Sequence, residues 1–263
     1  MQALNRKLNV HESYGKSEGY TVTPLSYFRF LYFEKNYGRL LKDIPGDARM
    51  LEIGPGGGTF TEYLLKLGFN DITLCEYSAV ISNELSRYFS DRPVVKVVNE
   101  NAILHLRNNP EAYDVIISQQ VIEHFTYSDF IILLEEIYRA LRKDGVVMLE
   151  TNNCANIIYG MYLRYCDHTH LLGFTPRSLE NFLETQDLSV KETFPVHMTG
   201  LADLVRSLIR GLFVKEAGRV ETFKQKIART PVSEKVGLGV LFHNAERRDS
   251  PFQGHLLPPH IPV

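Results

Sequence analysis

The chain has 263 residues, of which 44% are hydrophobic, and a formal net charge of −2. That length suits one large domain or a domain with a subdomain. A charge so near zero leaves no global field to recruit nucleic acid or an anionic membrane. Three widely spaced cysteines, Cys75, Cys154 and Cys166, form neither a disulfide framework nor a zinc-finger pattern, as expected of a protein in a reducing cytoplasm. No apolar run follows residues 1–7, so no signal peptide is expected, and no stretch approaches the roughly 18 apolar residues of a spanning helix.

In chain order, residues 1–24 are polar and read as an arm or lid, and the aromatic-rich run 25–41 reads as a helix. Residues 48–53 form an apolar strand that enters a glycine turn, followed by a helix over 59–67. A strand over 71–76, a helix over 78–89 with Ser78 as its N-cap, a strand over 93–98 and a short helix over 102–108 come next. Residues 113–118 are an almost wholly apolar strand. Over 128–142, Ile131, Leu134, Ile137 and Leu141 recur at helical spacing and Gly145 follows, which predicts an amphipathic helix leading into a strand over 146–150. Strands thus alternate with helices from 48 to 150, the pattern of a parallel sheet with helices on both faces. The expected fold is α/β: a doubly wound, seven-stranded, mostly parallel sheet with helical lid insertions.

Beyond 150 the rhythm changes. Residues 151–174 form a long connection rich in Asn, Tyr and His. Thr175 and Pro176 open a further helix as N-cap and first position. A strand is expected over 188–197, mostly helical chain over 199–235 and a last strand over 236–244. The resulting division is an N-terminal arm and helix over the cofactor (1–47), a core (48–198), a helical acceptor lid (199–235), a last core strand (236–248) and a disordered Pro-rich tail (249–263).

The most informative stretch is Leu51-Glu52-Ile53-Gly54-Pro55-Gly56-Gly57-Gly58-Thr59. Glycines let backbone approach a ligand closely, and the N–H groups of the following helix point back at the loop. The dinucleotide fingerprint would need a third glycine where Thr59 stands, and a phosphate-binding loop would need a lysine that is missing. In a doubly wound sheet the ligand lies beyond the carboxyl ends of the strands. The site therefore falls on residues 54–58, 76–77, 99–102 and 118–124.

The spacing Glu52-x-Gly54-x-Gly56-x-Gly58 resembles motif I of the class I S-adenosylmethionine (SAM) dependent methyltransferases. Gln119-Gln120-Val121-Ile122-Glu123-His124-Phe125 is similar to the segment after strand four in the subgroup that includes the ubiquinone-biosynthesis enzymes. The turn at Leu141-Arg142-Lys143-Asp144-Gly145 matches that subgroup with Asp144 in place of proline, and residues 168–179 resemble its following stretch. The resemblance covers residues 48–197. It implies SAM as cofactor, held by Glu52, Gly54, Pro55, Gly56 and Gly58. It also places Glu76 with Tyr77 at the ribose, Asn101 and Ala102 beside the adenine, and Gln119 near the methionyl portion. Tyr14 and Tyr20 are either lid residues over the cofactor or ordinary packing.

Methyl transfer to an alcohol is helped by a base, and His124, His168 and His170 are the candidates. Spacing of i, i+2 on a loop beside Asp167 does not make a metal set, so no metal is expected. The segments around the carboxyl edge are polar, and Arg164, Arg177, Arg206 and Arg210 suit a phosphate or carboxylate. The expected acceptor is a small polar molecule, a sugar or a phosphorylated or nucleotide-linked metabolite, methylated on oxygen or nitrogen. The alternatives are a small amine as acceptor and a SAM-binding subunit without catalysis. Neither nucleic acid nor a membrane is an expected partner, and monomer and homodimer both stay open.

Overall fold

The computed structural model describes residues 22–156, 160–185, 190–196 and 237–243. The expected arm over 1–21, the lid over 199–235 and the tail over 249–263 lie outside the described residues.

Helix α1 (Tyr27–Phe33) starts where the Ser26 side chain accepts from the Arg29 N–H. The expected helix over 25–41 runs from Tyr27 to Leu41 with helical backbone throughout, though not with one pitch. It widens into a π-turn at Glu34–Gly38 and resumes as the single turn α2 (Arg39–Leu41). A Cβ at Gly38 would lie 2.7 Å from Glu34 Oε1, so the glycine makes room for that carboxylate, which accepts from Tyr63 Oη at 2.8 Å.

The alternating core follows. Strand β1 (Met50–Ile53) leads to α3 (Thr59–Lys66), β2 (Ile72–Glu76) to α4 (Ala79–Tyr88), and β3 (Val95–Asn99) to α5 (Ala102–Asn108). Strand β4 (Tyr113–Gln119) passes through a 3-10 turn at Ile122–His124 into α6 (Tyr127–Ala140). Strand β5 (Leu141–Asn152) begins earlier than residue 146, the expected start, and α6 stops at Ala140. Leu141 is already extended and pairs with Tyr113, while Asp144 at φ 63° bends the strand before Val146 re-registers on Val115. The connection 151–174 carries a short helix, α7 (Gly160–Tyr165), and α8 (Pro176–Thr185) and β6 (Val190–Val196) follow. The last strand, β7, spans Gly237–His243.

Among the described residues the strands form one sheet in the order β3-β2-β1-β4-β5-β7-β6. Strands β1 to β5 pair in parallel, and β7 runs antiparallel between β5 and β6. The chain winds outward from β1 in one direction and from β4 in the other. The switch point therefore lies between β1 and β4, where a ligand crevice opens at the carboxyl ends.

Alternation along the strands feeds two cores. Leu51, Ile53, Ile116, Val147 and Leu149 face one side with Phe130, Leu133, Leu134 and Ile137 of α6. Met50, Ile72, Leu74, Val115, Ile117 and Met148 face the other with Phe33, Tyr37, Phe60, Tyr63 and Leu85. Each fully buried side chain of this size contributes about 1.5–3 kcal/mol, so burial on both faces holds the strand ends in place. No helix among the described residues is long and apolar enough to cross a membrane.

Candidate active site

The loop after β1 is shaped by left-handed glycines. Gly54, Gly56 and Gly58 have φ of 63°, 52° and 69°, a region that is costly for residues with a Cβ. A Cβ on Gly54 would lie 2.5 Å from Val121 Cγ2, and one on Gly58 would lie 2.9 Å from Leu85 and Phe89. The loop is thus pressed against the β4 exit on one side and α4 on the other. The Thr23 N–H closes over it by donating to the Gly57 carbonyl at 3.3 Å.

Three glutamates end apolar strands along the carboxyl edge. Glu52 is buried in β1 and accepts from Thr61 Oγ1 at 2.7 Å, and burial pushes its carboxyl up to about 7. Glu76 ends β2 and accepts from the Ser78 N–H at 2.7 Å, and burial raises its carboxyl too. Glu150 lies near the end of β5 and accepts from Tyr32 Oη at 3.3 Å, Gln120 Nε2 at 3.1 Å and Tyr37 Oη. Burial lifts its carboxyl above the usual carboxylate range, and these donors pull the other way.

A cavity of about 710 Å³ joins the glycine loop, Glu52 and Glu150. Its wall includes Glu52, Gly54, Pro55, Gly56 and Gln119, five of the residues expected at the cofactor, together with Arg29, Tyr32, Gln120, Glu150 and Asn152. Glu76, Tyr77, Asn101 and Ala102 stand at the ends of β2 and β3 on the same edge of the sheet, outside this wall. Asn101 uses its Oδ1 to cap α5, accepting from the Ile103 and Leu104 N–H groups at 2.9 and 3.3 Å. What its amide keeps for a ligand is its N–H₂ donors. Tyr14 and Tyr20 lie outside the described residues.

The histidines are placed elsewhere: none of His124, His168 and His170 is among the residues lining the cavity. His124 Nδ1 meets Thr169 Oγ1 at 2.8 Å, and its ring stacks edge-on against His170 with centroids 4.8 Å apart. His170 Nδ1 donates to the Leu163 carbonyl at 2.8 Å, and the His168 side chain is 84% exposed. Glu123 accepts from Thr151 Oγ1 at 3.1 Å and Asn152 Nδ2 at 3.4 Å, and burial pushes its carboxyl up to about 7. Glu123, His124 and His170 offer ligand atoms within 4.8 Å of one another, a set that a divalent ion could use. Arg164 is turned to its own loop, donating to the carbonyls of His170 and Leu171. Arg206 and Arg210 lie outside the described residues.

The glycine cradle and the carboxylate edge together define a ligand. At the glycine loop a phosphate group would face the carboxyls of Glu52 and Glu76, which suit it poorly. A sulfonium with an α-amino group and a ribose fits them, because each supplies a cation or hydroxyl donors for a carboxylate to accept. A family profile described as Methyltransferase domain matches residues 25–193.

The chain belongs to this methyltransferase family. Its fold is that of the class I SAM-dependent methyltransferases. It is 26% identical to the ubiquinone biosynthesis O-methyltransferase of Pelagibacter ubique over 107 residues, 41% of this chain and 43% of that one. It is 25% identical to the mitochondrial counterpart from Bos taurus over 157 residues, 54% of this chain and 42% of that one. The matched region is thus less than half the length of these two relatives. Among solved structures it resembles a SAM-dependent methyltransferase from Archaeoglobus fulgidus, with TM-score 0.55, 17% identity, and 83% and 100% of the two chains covered. It also resembles the SAM complex of Haemonchus contortus phosphoethanolamine N-methyltransferase 2, with TM-score 0.57, 16% identity, and 90% and 60% covered. At such identities these likenesses speak for the fold.

Glu150, Tyr32 and Arg29 were not singled out in the sequence, and Gln120 fell within the expected range 118–124 without a role of its own. The signal for Glu150 was nonetheless there: like Glu52 and Glu76, it is a carboxylate near the end of an apolar strand.

Proposed function

We propose that this chain transfers the methyl group of SAM to a small polar acceptor bound in the cavity beside the glycine loop. The observation that carries the reading is that one cavity is walled both by the glycine loop and by a further set of polar groups beyond it. Gly54, Pro55, Gly56, Glu52 and Gln119 stand on the cofactor side. Arg29, Tyr32, Gln120, Glu150 and Asn152 are available to an acceptor.

The sulfonium supplies an already activated methyl group, so the protein's task is alignment and exclusion of water. Glu52, tied to α3 through Thr61, braces the loop and receives the amino end of the cofactor. Glu76 accepts from the ribose hydroxyls, and Asn101 and Ala102 flank the adenine. Phe28, Tyr32 and Phe33 of α1 wall the acceptor space with apolar and polar surface side by side, as small-molecule sites commonly do. Arg29 at this wall suits an acceptor with an anionic group, such as a phosphorylated metabolite or a nucleotide-linked sugar. The curated relatives bear names of O-methyltransferases, which favours oxygen as the accepting atom. The chain acts on small molecules in the cytoplasm.

The test is to incubate the protein with SAM and a panel of sugars, phosphorylated metabolites, amines and catechols, and to follow S-adenosylhomocysteine (SAH). SAH formation that depends on a polar acceptor is expected. A preference for flat apolar acceptors would overturn the polar assignment. SAM binding without turnover across the whole panel would make the chain a cofactor-binding subunit.

A further inference from the structure

Glu150 is a fixed carboxylate in a cavity wall, and the cofactor roles assigned above do not include it. Its donors come from three separate parts of the chain: Tyr32 on α1, Tyr37 on the π-turn and Gln120 at the β4 exit. Two of them fall on Oε1 and one on Oε2. A carboxylate has about four lone-pair sites, and these donors use three, so the carboxylate keeps the capacity to accept once more from a ligand in the cavity it lines. The charged and titratable groups around it are Arg29, Tyr32, Tyr37 and Glu123. Gln120 holds φ 54°, a left-handed backbone that is uncommon for its type. That turn delivers its amide to Glu150 from the strand neighbouring β5.

We propose that Glu150 receives the proton that the acceptor loses as it is methylated, with Tyr32, Tyr37 and Gln120 as positioning residues. The inference rests on the methyl-transfer reading above. The bond between the acceptor oxygen or nitrogen and the methyl carbon forms as the S–CH₃ bond breaks, and sulfur keeps that electron pair. The acceptor's O–H or N–H pair stays with the acceptor atom, and the proton goes to the Glu150 carboxylate. Before the step the cavity holds a sulfonium cation and a carboxylate. After it, a thioether and a carboxylic acid remain, both neutral. Cancelling two opposite charges avoids leaving either one alone in a site of low dielectric.

This role narrows the acceptor. It brings a hydroxyl or a neutral amine with a proton to lose. An acceptor carboxylate needs no base and would face Glu150 as a like charge.

The test does not need the acceptor. Calorimetric titrations with SAM and with SAH, in two buffers of different ionisation enthalpy near neutral pH, report the protons exchanged on binding. SAH lacks the sulfonium charge that favours the ionised carboxylate, so SAH binding should take up more protons than SAM binding. Glu150→Gln should abolish that difference while both ligands still bind. The same difference in Glu150→Gln, or none in the wild type, overturns the assignment. If Glu150→Gln does not fold, Tyr32→Phe serves. It removes one donor to the ionised form and should move the proton uptake to higher pH, and an unmoved profile overturns the assignment. A wild-type protein that binds neither SAM nor SAH overturns the methyl-transfer reading itself. Binding without the proton difference overturns only the role of Glu150.

Discussion

Gly54→Ala probes the cradle through the one contact that defines it. The substitution places a Cβ in a backbone at φ 63°, and the left-handed region costs about 1–2 kcal/mol for a residue other than glycine. The same Cβ would lie 2.5 Å from Val121 Cγ2, a branched side chain with little freedom to turn away. Overpacking of this kind costs about 1–3 kcal/mol. Together they predict a loss of about 2–5 kcal/mol, to be read from urea melts of the wild type and the variant. Val121 Cβ stays 3.7 Å from the new atom. The double variant Gly54→Ala/Val121→Ala should therefore recover the overpacking part and keep the backbone part. SAM affinity should fall in the single variant and return only partly in the double one. A single variant within about 0.5 kcal/mol of the wild type, the ordinary range for uneventful surface changes, would refute this account of the loop. So would a double variant whose two losses simply add.

Glu52 has a carboxyl raised from its ordinary 4.5 to about 7, chiefly by burial, so the folded state holds its proton where the unfolded state has lost it. Stability then falls as pH rises between those values, by up to about 3 kcal/mol at 1.36 kcal/mol per pH unit. Glu52→Gln, which stays neutral, should gain on the wild type across that window and hold a constant lead above it, as followed by melts from pH 4 to 8. A flat difference would contradict the burial of an uncompensated charge. Asn101→Ala removes the cap of α5 and should cost about 0.5–2 kcal/mol, whereas Asn101→Asp, which can still accept the same two N–H bonds, should keep most of the stability. Equal losses in the two variants, measured by thermal unfolding, would show that the cap is not what Asn101 contributes.

The alternation from 48 to 150 was legible because parallel strands buried on both faces are short apolar runs, and the helices between them carry an amphipathic period. Glu52 and Glu76 were legible because loop spacing and strand ends are local. The π-turn in the first helix was not. There Glu34 lies over Gly38 and accepts from Tyr63, which belongs to another element. The early start of β5 likewise depends on Leu141 pairing with Tyr113 across the sheet. Glu150 escaped notice because its meaning comes from Tyr32 and Tyr37, which lie 118 and 113 residues away along the chain. The histidines were legible as residue types near the carboxyl edge, but not their partners. In the fold, their partners Thr169 and Leu163 come from the long connection after β5.

The central claim is that the carboxyl edge between β1, β2 and β4 is a SAM site. Calorimetric titration of the wild type and of Glu76→Ala with SAM tests it most directly. The account predicts saturable binding to the wild type. It also predicts a loss of about 10- to 100-fold in Glu76→Ala, because hydrogen bonds to a charged group contribute about 1.5–3 kcal/mol. No binding to the wild type, or equal affinity in the two proteins, would contradict it.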